Sequence, residues 1–339
     1  MLRHEGLSRG TKIAAALLAA VLAATLVFWG ARSADAALPG TNGLIAFISL
    51  RDGDFEIFTM NPDDPNNTLT QLTHNTATDY SPTWSPDGAQ IAFVSTMTTG
   101  QGVDNPSGDA EIFTIDADDP DNTLTQLTHN LEDDSSPTWS PVLSSGGTKI
   151  AFVSTRAGYY DIYMMSSDGS NEVRLTKNSA LDHSPTWSPT GTKIAFHSTR
   201  LGANNYEVYA MKPRPEGKRN RPVNLSRHSS NDENPNWSPD GTQIAFRSQR
   251  GVGGDHEIYV MDADGTDQSP VTENRYFDHD PAWSPDGTQI TFTRQNSPES
   301  GGFEVYKVDA GGDPETNVTN NSANDQSPDW QPIPATSGG

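Results

Sequence analysis

The chain has no cysteine in its 339 residues, which excludes disulfide staples, thiolate metal sites and a cysteine nucleophile at once. It is also short of positive charge. Lysine and arginine total 22 against 44 aspartates and glutamates, a formal charge of −22 at pH 7. A surface so acidic repels DNA, RNA and anionic lipid, and it favours solubility, cations and basic partners. The familiar catalytic patterns are missing as well: there is no Gly-x-Ser-x-Gly elbow, no His-Glu-x-x-His pair and no phosphate-cradling glycine loop. Carboxylates are so abundant that no two stand out as a general acid and base.

What is present begins with a targeting pattern. Arg3, Arg9 and Lys12 precede an apolar run from Ile13 to about Trp29, and Ala34-Asp35-Ala36 follows. A basic region, a hydrophobic region and a small-x-small site in that order make a secretory signal, with cleavage expected after Ala36. The competing reading is an uncleaved membrane anchor, because the run is longer than most signal cores. There is no paired arginine for twin-arginine export and no cysteine for lipoprotein attachment. Removing residues 1–36 leaves 18 basic against 42 acidic side chains, a formal −24.

The rest is built on one repeated stretch, Asp79-Tyr80-Ser81-Pro82-Thr83-Trp84-Ser85-Pro86-Asp87-Gly88, followed by Ile91-Ala92-Phe93. Later copies carry their tryptophan at Trp139, Trp187, Trp237, Trp283 and Trp330, 46 to 55 residues apart. That period is in the range of β-propeller blades. Ser85-Pro86-Asp87-Gly88 reads as a type I turn, which places Trp84 and Ile91-Ala92-Phe93 on adjacent antiparallel strands. Pro82 has no N–H, so its strand is an edge strand, lining the central channel of a propeller. The unbroken apolar run of the second strand requires cover on both faces, which stacked blades supply. A third strand begins at Glu56, Glu111, Asp161, Glu207, Glu257 and Glu304, and a short fourth ends in Leu72-Thr73 or its equivalents.

After the signal the chain enters in mid-repeat, and at Ser327 to Pro332 it stops in mid-repeat. Each end holds what the other lacks. The expectation is an all-β, six-bladed propeller of four-stranded antiparallel blades over residues 38–332, its first blade closed by the C-terminal strand, with a short disordered tail at 333–339.

Two columns of the repeat are candidate sites. Five residues before each tryptophan stands an aspartate: Asp79, Asp134, Asp182, Asp232, Asp278 and Asp325. Ring geometry puts these six around one mouth of the channel, where they could hold a divalent cation or a basic group. The alternative is that each bonds within its loop or pairs with an arginine at the end of a second strand. Arg51, Arg156, Arg200 and Arg250 are available; Met97 and Asn296 stand at the corresponding places of blades two and six. The next column varies, reading Tyr80, Ser135, His183, Glu233, His279 and Gln326. His183, Glu233 and His279 lie on successive blades and could converge on a metal. The loops Met97 to Asp109 and Arg250 to His256 reach the same face.

The pattern Asp-x-x-Pro-x-Trp-Ser-Pro-Asp-Gly-x-x-Ile-Ala-Phe, then Glu-Ile-Tyr-x-Met-Asp-Ala-Asp-Gly and Leu-Thr, closely resembles the TolB-like β-propeller repeat. In that family the propeller follows a separate α/β domain and binds a peptidoglycan-associated lipoprotein in the periplasm; here the signal runs straight into the first blade. The resemblance implies an exported, monomeric, non-catalytic binding or scaffolding module of the cell envelope or extracellular space, whose partner is a protein or small ligand. It would touch a membrane only if the N-terminal segment stays uncleaved. Similar propellers precede the hydrolase domain of prolyl-oligopeptidase relatives, for which no room remains. They also form oligogalacturonate lyases, which bind manganese through histidines near the channel mouth; the rival expectation is therefore a metal-dependent polysaccharide lyase or hydrolase using His183, Glu233 and His279.

Overall fold

The computed structural model describes residues 39–100, 102–143, 147–202, 205–214, 221–296 and 302–334. The expected signal or anchor and residues 335–339 of the expected tail lie outside them. Among the described residues no helix is long and apolar enough to cross a membrane.

Six four-stranded antiparallel sheets make a six-bladed propeller. In the second blade the strands run outward as Asp79–Trp84, Gln90–Ser95, Glu111–Asp116 and Thr125–Gln126, and blades three to six repeat the order. The first blade is composite. Its inner strand Asp325–Ile333 comes from the C-terminal end and pairs with Thr41–Ser49, ahead of Glu56–Met60 and Thr70–Gln71. Thr41 opposes Ile333 and Ser49 opposes Asp325. The two half repeats complete each other as expected.

Local chemistry explains the blade. Gly88 N–H donates to Ser85 C=O at 2.9 Å and the Ser85 hydroxyl donates to Asp87 at 2.5 Å, closing the turn that joins the first two strands. Gly88 has φ of 71°, and a Cβ there would meet the Pro332 carbonyl at 2.4 Å, so the turn lies directly against the closing strand. The residue before each repeated proline, Ser81, Ser136, Ser184, Asn234, Asp280 or Ser327, has φ between 47° and 56°. A β-bulge results, seen as a register shift between Tyr80 and Thr83. The outer strands are shorter than the repeat suggests. They end at Gln71 and its equivalents because Thr73 uses its side-chain oxygen, not its backbone, to accept the Ile57 N–H at 2.9 Å.

Packing between blades supplies the core. Trp187 of blade four lies among Ala151, Val153, Ile162 and Leu175 of blade three as well as Ile194 and Phe196 of its own. Trp84, Trp139, Trp237 and Trp283 likewise join clusters that include the preceding blade, and Trp330 packs with Ala282 of blade six. A sheet covered only by its neighbours has no stability of its own. Trp187 is 0% exposed, and replacing it with alanine is expected to cost about 3–5 kcal/mol in urea unfolding; a loss below ~1 kcal/mol is what a surface position gives.

Candidate functional site

The loops between second and third strands share one face with the loops that lead into each inner strand. Backbone bonds stitch them together: Asp79 N–H donates to Phe55 C=O (2.8 Å), Asp134 to Ala110 (2.7 Å), Asp182 to Tyr160 (3.0 Å), Asp232 to Tyr206 (2.8 Å) and Asp278 to His256 (2.8 Å). Each bond joins one blade to the next. This loop face is opposite the Ser-Pro-Asp-Gly turns.

The six aspartates are all wholly buried. Five are held by arginine: Asp325 by Arg51 (3.0 Å), Asp134 by Arg156 (2.5 Å), Asp182 by Arg200 (2.8 Å), Asp232 by Arg250 (2.5 Å) and Asp278 by Arg294 (2.7 Å). Asparagine four residues upstream adds a donor to Asp79, Asp134, Asp182, Asp278 and Asp325. The guanidinium also lies over aromatic rings of its blade, as Arg200 does over Phe196 (5.1 Å) and Tyr209 (4.7 Å). A basic ligand or cation would have to displace these partners. In blade six the arginine stands two residues earlier in its strand than in the others, opposite Asp278, at the place where the other blades carry serine. It still reaches the carboxylate through Nε and Nη2, both at 2.7 Å. Among the described residues no cation pairs with Asp79, whose blade carries Met97 where others carry arginine.

The variable column lies just beyond these pairs, and the structure groups it with residues the sequence did not single out. Tyr160 stacks on His183 with ring centroids 4.3 Å apart, His183 lies 5.6 Å from His197, and Tyr206 meets His197 edge-on at 5.3 Å. Further round, His256 contacts Phe277 (5.4 Å) and His279 contacts Phe303 (5.5 Å). Arg247 lies between the two groups and is paired with Glu233. The result is an arc of aromatic and imidazole rings over blades three to six, largely half-exposed, with His197 buried beneath. Its sequence signal is a second variable column, the residue before each third-strand acid: Phe55, Ala110, Tyr160, Tyr206, His256 and Phe303. Tyr80, in blade two, packs instead against the apolar cluster around Trp84 and Phe93.

His183, Glu233 and His279 are not drawn together. Each faces its own second strand, opposite His197, Arg247 and Thr293. Among the described residues no group of three His, Asp or Glu side chains is placed to hold a metal ion. Burial pushes His183 down to about 4 and His256 down to about 3, and it takes His197 well below its usual value. Such imidazoles are neutral at pH 7 and are weak bases. They offer ring faces and hydrogen bonds, such as the one the Asn234 N–H donates to His197 Nδ1 at 3.2 Å.

The Met97–Asp109 loop is anchored to its own blade: Met97 and Asn105 are buried, and Asp104 N–H donates to Gln126 Oε1 at 2.7 Å on the outer strand. The loop therefore folds over the rim of blade two.

A family model described as TolB beta propeller domain matches residues 140–221 and 225–334. The chain belongs to this family. Over 59 residues it is 42% identical to the Tol-Pal system protein TolB of Geobacter sulfurreducens, a match spanning 17% of the chain and 14% of that relative. Among solved structures it is similar to TolB from Acinetobacter baumannii (TM-score 0.68, 19% identity, covering 87% of this chain and 68% of that one). It is also similar to a putative TolB from Agrobacterium tumefaciens (TM-score 0.59, 18% identity, covering 86% and 99%). At these identities the TolB structures bear on the fold. The family match covers the arc-bearing blades.

Two stability measurements test this arrangement. Arg294→Met strands Asp278 without a cation and is expected to cost about 3 kcal/mol in denaturant unfolding, part of it recovered by adding Asp278→Asn. His183 is harder to protonate in the folded chain than in the unfolded one, so its contribution to stability is complete above about pH 6.5 and is lost as pH falls through about 4. His183→Gln should therefore show a smaller drop in urea midpoint between pH 6.5 and 4 than the wild type.

Proposed function

We propose that the protein is exported and works as a non-catalytic binding propeller of the cell envelope or extracellular space, with a protein as its partner and the loop face as its contact surface. The basic, apolar and small-residue order of residues 1–36 supports export. The Geobacter relative is named for a Tol-Pal system, and a partner within an envelope assembly is the reading that name supports.

The observation that carries the contact surface is where large apolar side chains meet solvent. Of the large apolar side chains exposed among the described residues, Leu69, Val142, Val223 and Ile333 are scattered elsewhere, while Leu131 (75% exposed), Tyr159 (48%), Tyr160 (36%) and Leu201 (65%) stand on loop-face connections of blades three and four. They border the arc that begins with the Tyr160–His183 stack. Exposed apolar residues gathered on one part of a surface mark contact sites, and tyrosine in particular anchors protein interfaces. Leu131 is followed by exposed Glu132 and Asp133, and the charge on Asp133 helps to raise the Tyr160 phenol above its usual value, after burial. The complementary partner therefore presents apolar groups flanked by lysine or arginine.

Point changes test this surface. Leu131→Ser, Tyr159→Ser and Leu201→Ser combined should reduce capture of the envelope partner by about tenfold or more while the unfolding midpoint stays near wild type. Equal capture by the variant and the wild type would remove this surface from consideration.

A further inference from the structure

Each junction between blades buries two acids. The acid that opens a third strand, Glu56, Glu111, Asp161, Glu207, Glu257 or Glu304, is at most 2% exposed. It lies close enough to feel the charge of the next blade's aspartate. Outer-strand hydroxyls donate to several of them: Thr272 to Glu257 at 2.7 Å, Ser226 to Glu207 at 2.6 Å and Thr176 to Asp161 at 3.1 Å. Five junctions add an arginine on the aspartate. Among the described residues the junction between blades one and two has none.

At that junction Met97 occupies the guanidinium's place and packs in the apolar cluster with Phe93 and Phe113. Glu56 Oε2 and Asp79 Oδ1 are buried without a donor among the described residues. The groups facing them are Asp54 and Thr73 from blade one, Asn75 from the connecting loop and Ser95 from blade two. None is a cation. Two charged carboxylates buried together without a cation repel each other and forgo hydration, whereas a single proton between them supplies a donor and removes one charge.

The same junction holds a third buried acid. Asp329, on the closing strand, accepts the Trp84 backbone N–H at 2.8 Å. At the junction of blades five and six the matching bond, also 2.8 Å, runs from the Trp283 N–H to the neutral amide oxygen of Asn236.

We propose that Glu56 and Asp79 share one proton, and that losing it as pH rises loosens the contact between blades one and two, beside the closing strand. Burial, with no cation to oppose it, raises Glu56 to about 8 and raises Asp79 too; burial likewise raises Asp329 to about 7. These groups hold protons more firmly folded than unfolded. Their contribution to stability is therefore complete below about pH 4 and is lost progressively up to about pH 8.

Hydrogen exchange on the whole protein at pH 6 and pH 9, corrected for intrinsic rates, tests this through two equivalent strands. Residues 79–84 should exchange at least tenfold faster at pH 9 than at pH 6, and residues 232–237, whose Asp232 is held by Arg250, should not. Glu56→Gln, which imitates the protonated acid, should abolish the excess, and Met97→Arg should do the same by restoring the missing cation. In the infrared at pH 7 the neutral carboxylic-acid carbonyl stretch of the wild type should be weaker in Glu56→Gln; this holds even if Met97→Arg fails to fold. Equal behaviour of the two strands, an undiminished excess in Glu56→Gln, or no carbonyl difference would each overturn the proposal.

Discussion

The whole structure depends on each tryptophan finding its cover in the blade before it. One indole removes about 150–250 Å² from water, but only when a neighbouring sheet is in place to receive it. Trp187 lies between Ile162 and Phe196, and Trp330 against Ala282. This dependence makes the ring cooperative: a blade removed exposes the tryptophan of the next.

Polar chemistry is placed where this apolar wedge leaves off. Toward the loop face, backbone bonds from the aspartates to Phe55, Ala110, Tyr160, Tyr206 and His256 tie blade to blade. Five of the six carboxylates pair with arginines that lie over the rings of their own blade. A buried ion pair of this kind contributes little net stability compared with an apolar replacement, yet it fixes which groups meet. That precision holds the arc from Tyr160 to Phe303 on a rigid floor while the loop residues above it differ from blade to blade.

Most of the scaffold was legible in the sequence, because repetition converts a single turn signal into six. Pro82 marked the edge strand, Ser85 to Gly88 the hairpin, and the two incomplete repeats the composite first blade. Other features were hidden for identifiable reasons. The bulge at Ser81 rests on a left-handed backbone conformation that serine and proline do not announce. Arg294 escaped notice because a guanidinium is long enough to reach Asp278 from a different rung of its strand. The arc was missed in part because its rings come from two columns of the repeat, and only one, with His183 and His279, was followed. His183, Glu233 and His279 lie on successive blades, and strand register sets each opposite a residue of its own second strand, His197, Arg247 and Thr293. The aspartate column was noticed easily, and its burial followed from strand register.

The composite first blade has a consequence for how the molecule comes into being. Its inner strand is Asp325–Ile333, so the circle stays open until that segment pairs with Thr41–Ser49. Before that pairing Trp84 is without Asp329 and Gly88 without Gln331. Closing the ring therefore rests on contacts between segments far apart in the sequence, which form more slowly than local ones.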